Sequence, residues 1–212
     1  MSVEIRTAGA DELASGLSPI SHYFGLPAGP REDFVSRIPV PEGRLHVAQD
    51  GKEIVGGAGV FPLDLTVPGG PVQAAGVTVV GVLPTHRRRG ILRELMRAQL
   101  EDFHARGEPL AVLWASEGSI YGRFGYGLAS LCGDMEVPRA DAGFARPVEW
   151  RGAVRLVGRD EALELFPAVF ARVQAGTPGM FARGRDWWDK RVLSDSEWRR
   201  AGGGELAFAA LE

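Results

Sequence analysis

The chain has 212 residues, 45% hydrophobic and 24% charged, which suits one folded domain with a good core, or one domain and part of another. A formal net charge of −3 excludes a broad attraction to nucleic acid, so any basic site must be local. A single cysteine, Cys132, excludes an intramolecular disulfide and offers no metal-ligand spacing, so no metal is expected.

The N-terminal stretch Met1 to Arg6 lacks an apolar leader, and no stretch approaches the roughly 18 apolar residues of a membrane helix. The expectation is a cytoplasmic chain without a membrane partner. Val3 to Arg6 reads as a short strand, and Asp11-Glu12 opens a helical stretch. A Pro/Gly-rich loop, Leu26 to Pro30, leads to a second short helix around Glu32 to Arg37. Leu45 to Ala48 and Ile54 to Ala58 flank Asp50-Gly51, a tight-turn signal, and predict a β-hairpin. Leu63 to Val67 alternates apolar and polar residues and ends at Pro68-Gly69-Gly70, a further strand and turn.

Val77 to Leu83 is almost continuously apolar and predicts a central strand buried on both faces. From Ile91 the period changes to that of a helix. Ile91, Leu92, Leu95, Met96, Gln99, Leu100 and Phe103 share one face, and Gly107 supplies a stop. Leu110 to Ala115 predicts a strand, Ser119 to Phe124 a short helix, and Leu128 to Val137 another strand, with Cys132 as a buried thiol. Val154 to Val157 followed by Asp160-Glu161 restarts the opening pattern. Helical stretches at Ala162 to Val173 and Arg185 to Leu193 and a strand at Glu205 to Leu211 complete the chain. The alternative for this region is a helical extension packed on the first domain. Trp187-Trp188 is expected to anchor a further domain, leaving an exposed patch if none is present.

The chemistry gathers at Thr85-His86-Arg87-Arg88-Arg89-Gly90, between strand and helix. A helix N-terminus is the positive end of its dipole, so each cation there is unfavourable by roughly 0.3–1 kcal/mol. Arg87, Arg88 and Arg89 make sense if an anion sits on the free backbone N–H groups and is neutralised by guanidinium. Gly90 permits close approach of that anion. The absence of Gly-Lys-Ser/Thr disfavours a mononucleotide P-loop.

Val82 to Leu92 resembles the pyrophosphate-binding motif of the GNAT acyltransferases, with Arg87 and Gly90 matching and Leu92 departing at its last small position. Trp114 to Gly127, together with Pro84 to Gly90, is similar to the Eis (enhanced intracellular survival) family of N-acetyltransferases. The resemblance is close over 76–130 and loose elsewhere. It implies an α/β (α+β) GNAT fold, a mixed, mostly antiparallel twisted sheet flanked by helices. Residues 1–148 would form the N-terminal GNAT domain, and 149–212 the start of a second, incomplete GNAT-like domain of a chain truncated to its N-terminal portion.

The resemblance further implies acetyl-CoA as co-substrate and a primary amine (aminoglycoside, polyamine or lysine side chain) as acceptor, attacking directly in a ternary complex. Backbone around Val80 and Val82 would hold the pantetheine arm. Arg87, Arg88, Arg89, Gly90, Ile91 and Leu92 would hold the pyrophosphate, and Ser116 would touch the cofactor. Tyr121 matches the family's general-acid tyrosine, a reasonable proton donor to a departing thiolate. Tyr126 reads as core, and Glu117 and His86 are the conceivable bases. Full-length relatives are expected to be homo-oligomers with a catalytic base at their own C-terminus. The alternative is therefore a fragment that binds acetyl-CoA with little or no turnover. A nucleic-acid-binding module using the three arginines would need a wider basic surface than this composition offers.

Overall fold

The structure, a computed structural model, describes residues 3–25, 38–147, 149, 151–200 and 202–212. Its principal elements are β1 (Glu4–Thr7), α1 (Leu13–Tyr23), β2 (Leu45–Asp50), β3 (Glu53–Val67), β4 (Gly70–Val82), α2 (Ile91–Arg106), β5 (Leu110–Leu113), β6 (Val154–Val157), α3 (Arg159–Gln174) and β7 (Phe208–Leu211). The first five strands form one sheet in chain order. The pairings β1–β2, β2–β3 and β3–β4 are antiparallel, and β5 joins β4 in parallel after the α2 crossover. The short helix expected around 32–37 lies outside the described residues.

The turns form where glycine permits them: Gly51 closes β2–β3 at φ 64°, and Gly69 and Gly70 close β3–β4 at φ 103° and 133°. The two segments read separately at 54–58 and 63–67 are one strand running through Pro62. That proline is tolerated because β2 stops at the Leu45–Gly59 pair, while Pro62 still faces Ala75 on β4. Its nitrogen shares the outward parity of Asp64 and Thr66, whose backbone groups bond Ala182 and Met180 instead of β4.

Helices cover both faces. On one, Ile91, Leu95, Met96, Gln99 and Phe103 of α2 are buried, while Leu92 is half-buried and Leu100 exposed at the margin of the predicted face. On the other, α1 docks at backbone distance. A Cβ on Gly57 would meet the Gly16 carbonyl oxygen at 2.0 Å, and one on Gly81 would meet the Ile20 nitrogen at 2.8 Å. These glycines therefore set how deeply α1 sinks onto β3 and β4, and hence where its C-terminal end lies. The buried Arg44 pairs with Asp102 at 2.9 Å and Glu108 at 2.6 Å, fastening β2's approach to the end of α2.

β4 is irregular where the site begins. Its register against β3 shifts between Gly57 and Gly59, and Val79 takes a left-handed φ of 49°, the mark of a bulge. A Cβ on Gly59 would lie 2.8 Å from Val79 Cγ2, so glycine opposite is what admits the bulged side chain. Before the bulge, Ala74 to Val77 pair with Leu110 to Leu113; beyond it, β4 and β5 part. The central strand is accordingly buried on both faces only at Ala74 to Val77, and Thr78 to Val82 are half-buried because they border the resulting cleft.

The expectation for 128–137 is corrected. Leu128 to Val137 forms no strand; Leu131 is 84% exposed, Met135 is 88% exposed, and Cys132 is exposed. The run is apolar enough for a strand, but it pairs with no strand of the sheet, whose last member β5 bonds only to β4. Conversely, β6 has a partner in its own chain, the antiparallel β7. Around this pair, Val157, Ala162, Leu163, Trp188 and Leu193 make a separate small core.

The tandem tryptophans are divided between the two regions. Trp187 meets Phe61 and Phe181 edge-on, each at 5.0 Å, and packs on the first core, while Trp188 is buried in the second. No exposed Trp187-Trp188 patch results. Backbone bonds from Thr66 to Met180, from Gly179 to Thr66 and from Ala182 to Asp64 continue the attachment along the free edge of β3.

Candidate active site

The parting of β4 and β5 opens a cleft of about 700 Å³, within the size range of small-molecule sites. Val80, Gly81 and Val82 form one wall, and Ser116, Glu117 and Tyr121 the opposite one. Arg87, Arg88, Gly90, Ile91 and Leu92 close one end. The sequence-predicted residues are thus brought together, with one exception. Arg89 does not line the cleft; its guanidinium pairs with Asp50 at 3.0 Å, and Asp50 also lies 3.5 Å from His86 Nε2. The carboxylate of the β2–β3 turn thereby ties back part of the loop and leaves Arg87 and Arg88 to the cleft.

The loop has the conformation of an anion cradle. Arg88 and Gly90 both have positive φ, 60° and 81°, and such reversals turn successive N–H groups into a concavity. No side chain caps α2, so the first-turn amides keep their capacity to donate. A Cβ on Gly90 would meet nothing within 4 Å, so this glycine is required by its conformation and not by crowding.

Tyr121 sits at the joint between two 3-10 turns, Gly118–Ile120 and Gly122–Phe124. Gly125, at φ 90°, then reverses the chain. Tyr121 packs edge-on against Tyr126 at 5.9 Å. Burial pushes the Tyr121 phenol up from its ordinary value, reinforced by the Glu117 carboxylate and Tyr23. The group therefore stays protonated through neutral pH, the form needed in a proton donor. Tyr126 is part of the core, packed against Val60, Ala75, Val77 and Phe103, with its hydroxyl pushed up to about 12 by burial.

The sequence reading missed the contribution of α1. Ile20, Tyr23 and Phe24 line the cleft, and Arg87 stacks over the Tyr23 ring at 5.4 Å. The available signal was Gly16 within α1 and Gly57 and Gly81 on the sheet, small residues that allow close docking. Arg93, Arg123 and Phe124 were also missed as lining residues. His86 borders the cleft but is engaged with Asp50 and with the Thr85 hydroxyl at 2.8 Å. Among the described residues no group of His, Cys, Asp and Glu could hold a metal ion, and no helix is long and apolar enough to cross a membrane.

Residues 4–129 match the family described as acetyltransferase (GNAT) domain. The chain is 45% identical over 166 residues to an uncharacterized N-acetyltransferase of Streptomyces avermitilis, covering 77% of this chain and 40% of the relative. It is 39% identical over 196 residues to the N-acetyltransferase Eis of Mycobacterium tuberculosis, covering 86% and 47% respectively. The crystal structure of Eis1 from Mycobacterium abscessus superposes with a TM-score of 0.76 at 33% identity, over 98% of this chain and 51% of that one. The chain thus spans about half the length of the relatives it matches.

Proposed function

Since the chain belongs to the GNAT acetyltransferase family, we propose that it transfers the acetyl group of acetyl-CoA to a primary amine of an aminoglycoside, polyamine or lysine side chain. The observation that carries this reading is one cleft with an arginine-rich helix start at one end and Tyr121 on its wall. The cofactor supplies an acyl group activated as a thioester. Arg87 and Arg88, with the amides of Gly90, Ile91 and Leu92, bind its pyrophosphate. The fit rests on the positive-φ loop, the uncapped helix and the volume of the cleft.

The half-buried strand end from Val80 to Val82 orients the pantetheine arm and offers backbone N–H groups to the carbonyl oxygen. Ser116 supports the same arm. Tyr121 holds its proton at Oη for the departing sulfur, and the amine attacks the carbonyl directly. Residues 149–212 belong in this proposal to the start of a second unit of the same kind. That view is supported by β6 followed by α3, which repeats the order of β1 followed by α1.

Calorimetric titration with acetyl-CoA and a thiol-release assay with an aminoglycoside test the proposal. Binding is expected in the wild type, with Arg88→Ala weakening it by about tenfold as a charge-assisted contact is lost. Tyr121→Phe should keep the affinity and lower turnover by about 10²-fold or more. An active form whose Phe variant keeps full turnover would refute the role of Tyr121. Binding without thiol release would leave the cofactor-binding fragment as the surviving reading, and absence of binding would eliminate both.

A further inference from the structure

The mouth of the cleft carries a contact that cofactor binding does not explain. Tyr23, the last residue of α1, donates its hydroxyl to the carboxylate of Glu117, 94 residues away in the chain. Among the described residues, Glu117 is the one carboxylate lining a cleft that also presents Arg87, Arg88, Arg93 and Arg123. Yet among the described residues it forms an ion pair with none of them and is held by a neutral hydroxyl. A negative charge beside a polyphosphate site opposes the cofactor. Its placement makes chemical sense if a cation is the other ligand of the cleft.

The surroundings fit that role. Glu117 follows Ser116 on the wall of the cleft and opens the turn that carries Tyr121, so a group paired with its carboxylate lies beside the proton donor. The carboxylate acts on both tyrosines, raising Tyr23 chiefly through their hydrogen bond and adding to the effect of burial on Tyr121. Arg87 lies over the ring of the same tyrosine, 5.4 Å from its centroid, at the arginine-rich end of the cleft. The tyrosine thus joins an anion-binding and a cation-binding group without either neutralising the other.

We propose that Glu117, held by Tyr23, is the specificity-determining residue of the acceptor subsite and pairs with an ammonium group of the amine substrate next to Tyr121. This assignment rests on the acetyltransferase reading, but its test is separable. The probe is 1,4-diaminobutane, titrated calorimetrically into the full chain with and without coenzyme A, for the wild type, Glu117→Gln and Tyr23→Phe. Glutamine still accepts the Tyr23 hydrogen bond but carries no charge, so it removes recognition and spares the tie; phenylalanine does the reverse.

Glu117→Gln should lose about tenfold or more in diamine affinity, the effect of one charge-assisted contact. Its coenzyme A affinity should be no lower than that of the wild type, because a repulsive charge has been removed. Tyr23→Phe should lose only about two- to threefold, because the charge that pairs with the diamine remains and only its positioning is loosened. Unchanged diamine affinity in Glu117→Gln, absence of diamine binding by the wild type, or a larger loss in Tyr23→Phe than in Glu117→Gln would each overturn the assignment. Failure of coenzyme A to bind would instead overturn the acetyltransferase reading, while the titration without cofactor still decides the role of Glu117.

Discussion

β4 and the segment 128–137 are similar as strings, runs of small and apolar residues following glycine turns, yet one is an interior strand of a sheet and the other lies open. The difference is hydrogen-bonding company. β4 has β3 delivered by a tight turn and β5 delivered by the α2 crossover, so its backbone groups pair as its side chains are buried. Leu128 to Val137 pairs with no strand among the described residues, and its Leu131 and Met135 stay exposed. Apolar composition therefore predicts a capacity for burial, and topology decides whether it is used.

The sharpest way to break this comparison is at the sheet beside β4. Gly57→Val should cost about 4 kcal/mol, above the usual range for overpacking, because its Cβ meets the backbone of α1 and not a side chain able to turn away. Denaturant unfolding measures the loss. Leu95→Ala, at a position with no exposed surface under β3, should cost about 3 kcal/mol by the same measurement.

A smaller effect is expected with pH. Burial pushes the His46 imidazole down from its ordinary value, partly opposed by Asp102 and reinforced by Arg44 and Arg106. The folded state prefers the neutral ring, so this contribution is present above the unfolded value of about 6.5 and is lost as pH falls below it. The thermal midpoint should therefore fall from pH 7.5 to 5.5, and less steeply in His46→Gln. At the other end of the scale, Leu131→Ser should change stability by less than about 0.5 kcal/mol. A loss above 1 kcal/mol there would show that the exposed segment is packed in solution, and the comparison would fail.

Most strands could be read because local chemistry announces them: Asp50-Gly51 and Gly69-Gly70 mark turns, and the change of period at Ile91 marks α2. The arginine-rich end of the cleft was legible for the same reason, since arginines at a helix start are a local conflict that draws attention to the loop. The wall contributed by α1 was not legible. Tyr23 reaches Glu117 only because Gly16, Gly57 and Gly81 let a helix sink onto the sheet, and that contact joins residues far apart in sequence. The fate of Arg89 was hidden likewise, because three adjacent arginines look equivalent until Asp50 selects one. Trp187 and Trp188 illustrate the same limit: neighbours in the chain, they belong to different cores.

The bulge at Val79 has a consequence for recombination between related chains. Its left-handed backbone needs Gly59 opposite, so β3 and β4 carry a single instruction written in two places. A chimera crossed over at the Gly69-Gly70 turn would separate the two halves of that instruction, whereas a crossover in the loop before β2 or after β5 would transmit them intact. The cleft is thus inherited as a hairpin, and the hairpin is the smallest piece that can be exchanged without closing it.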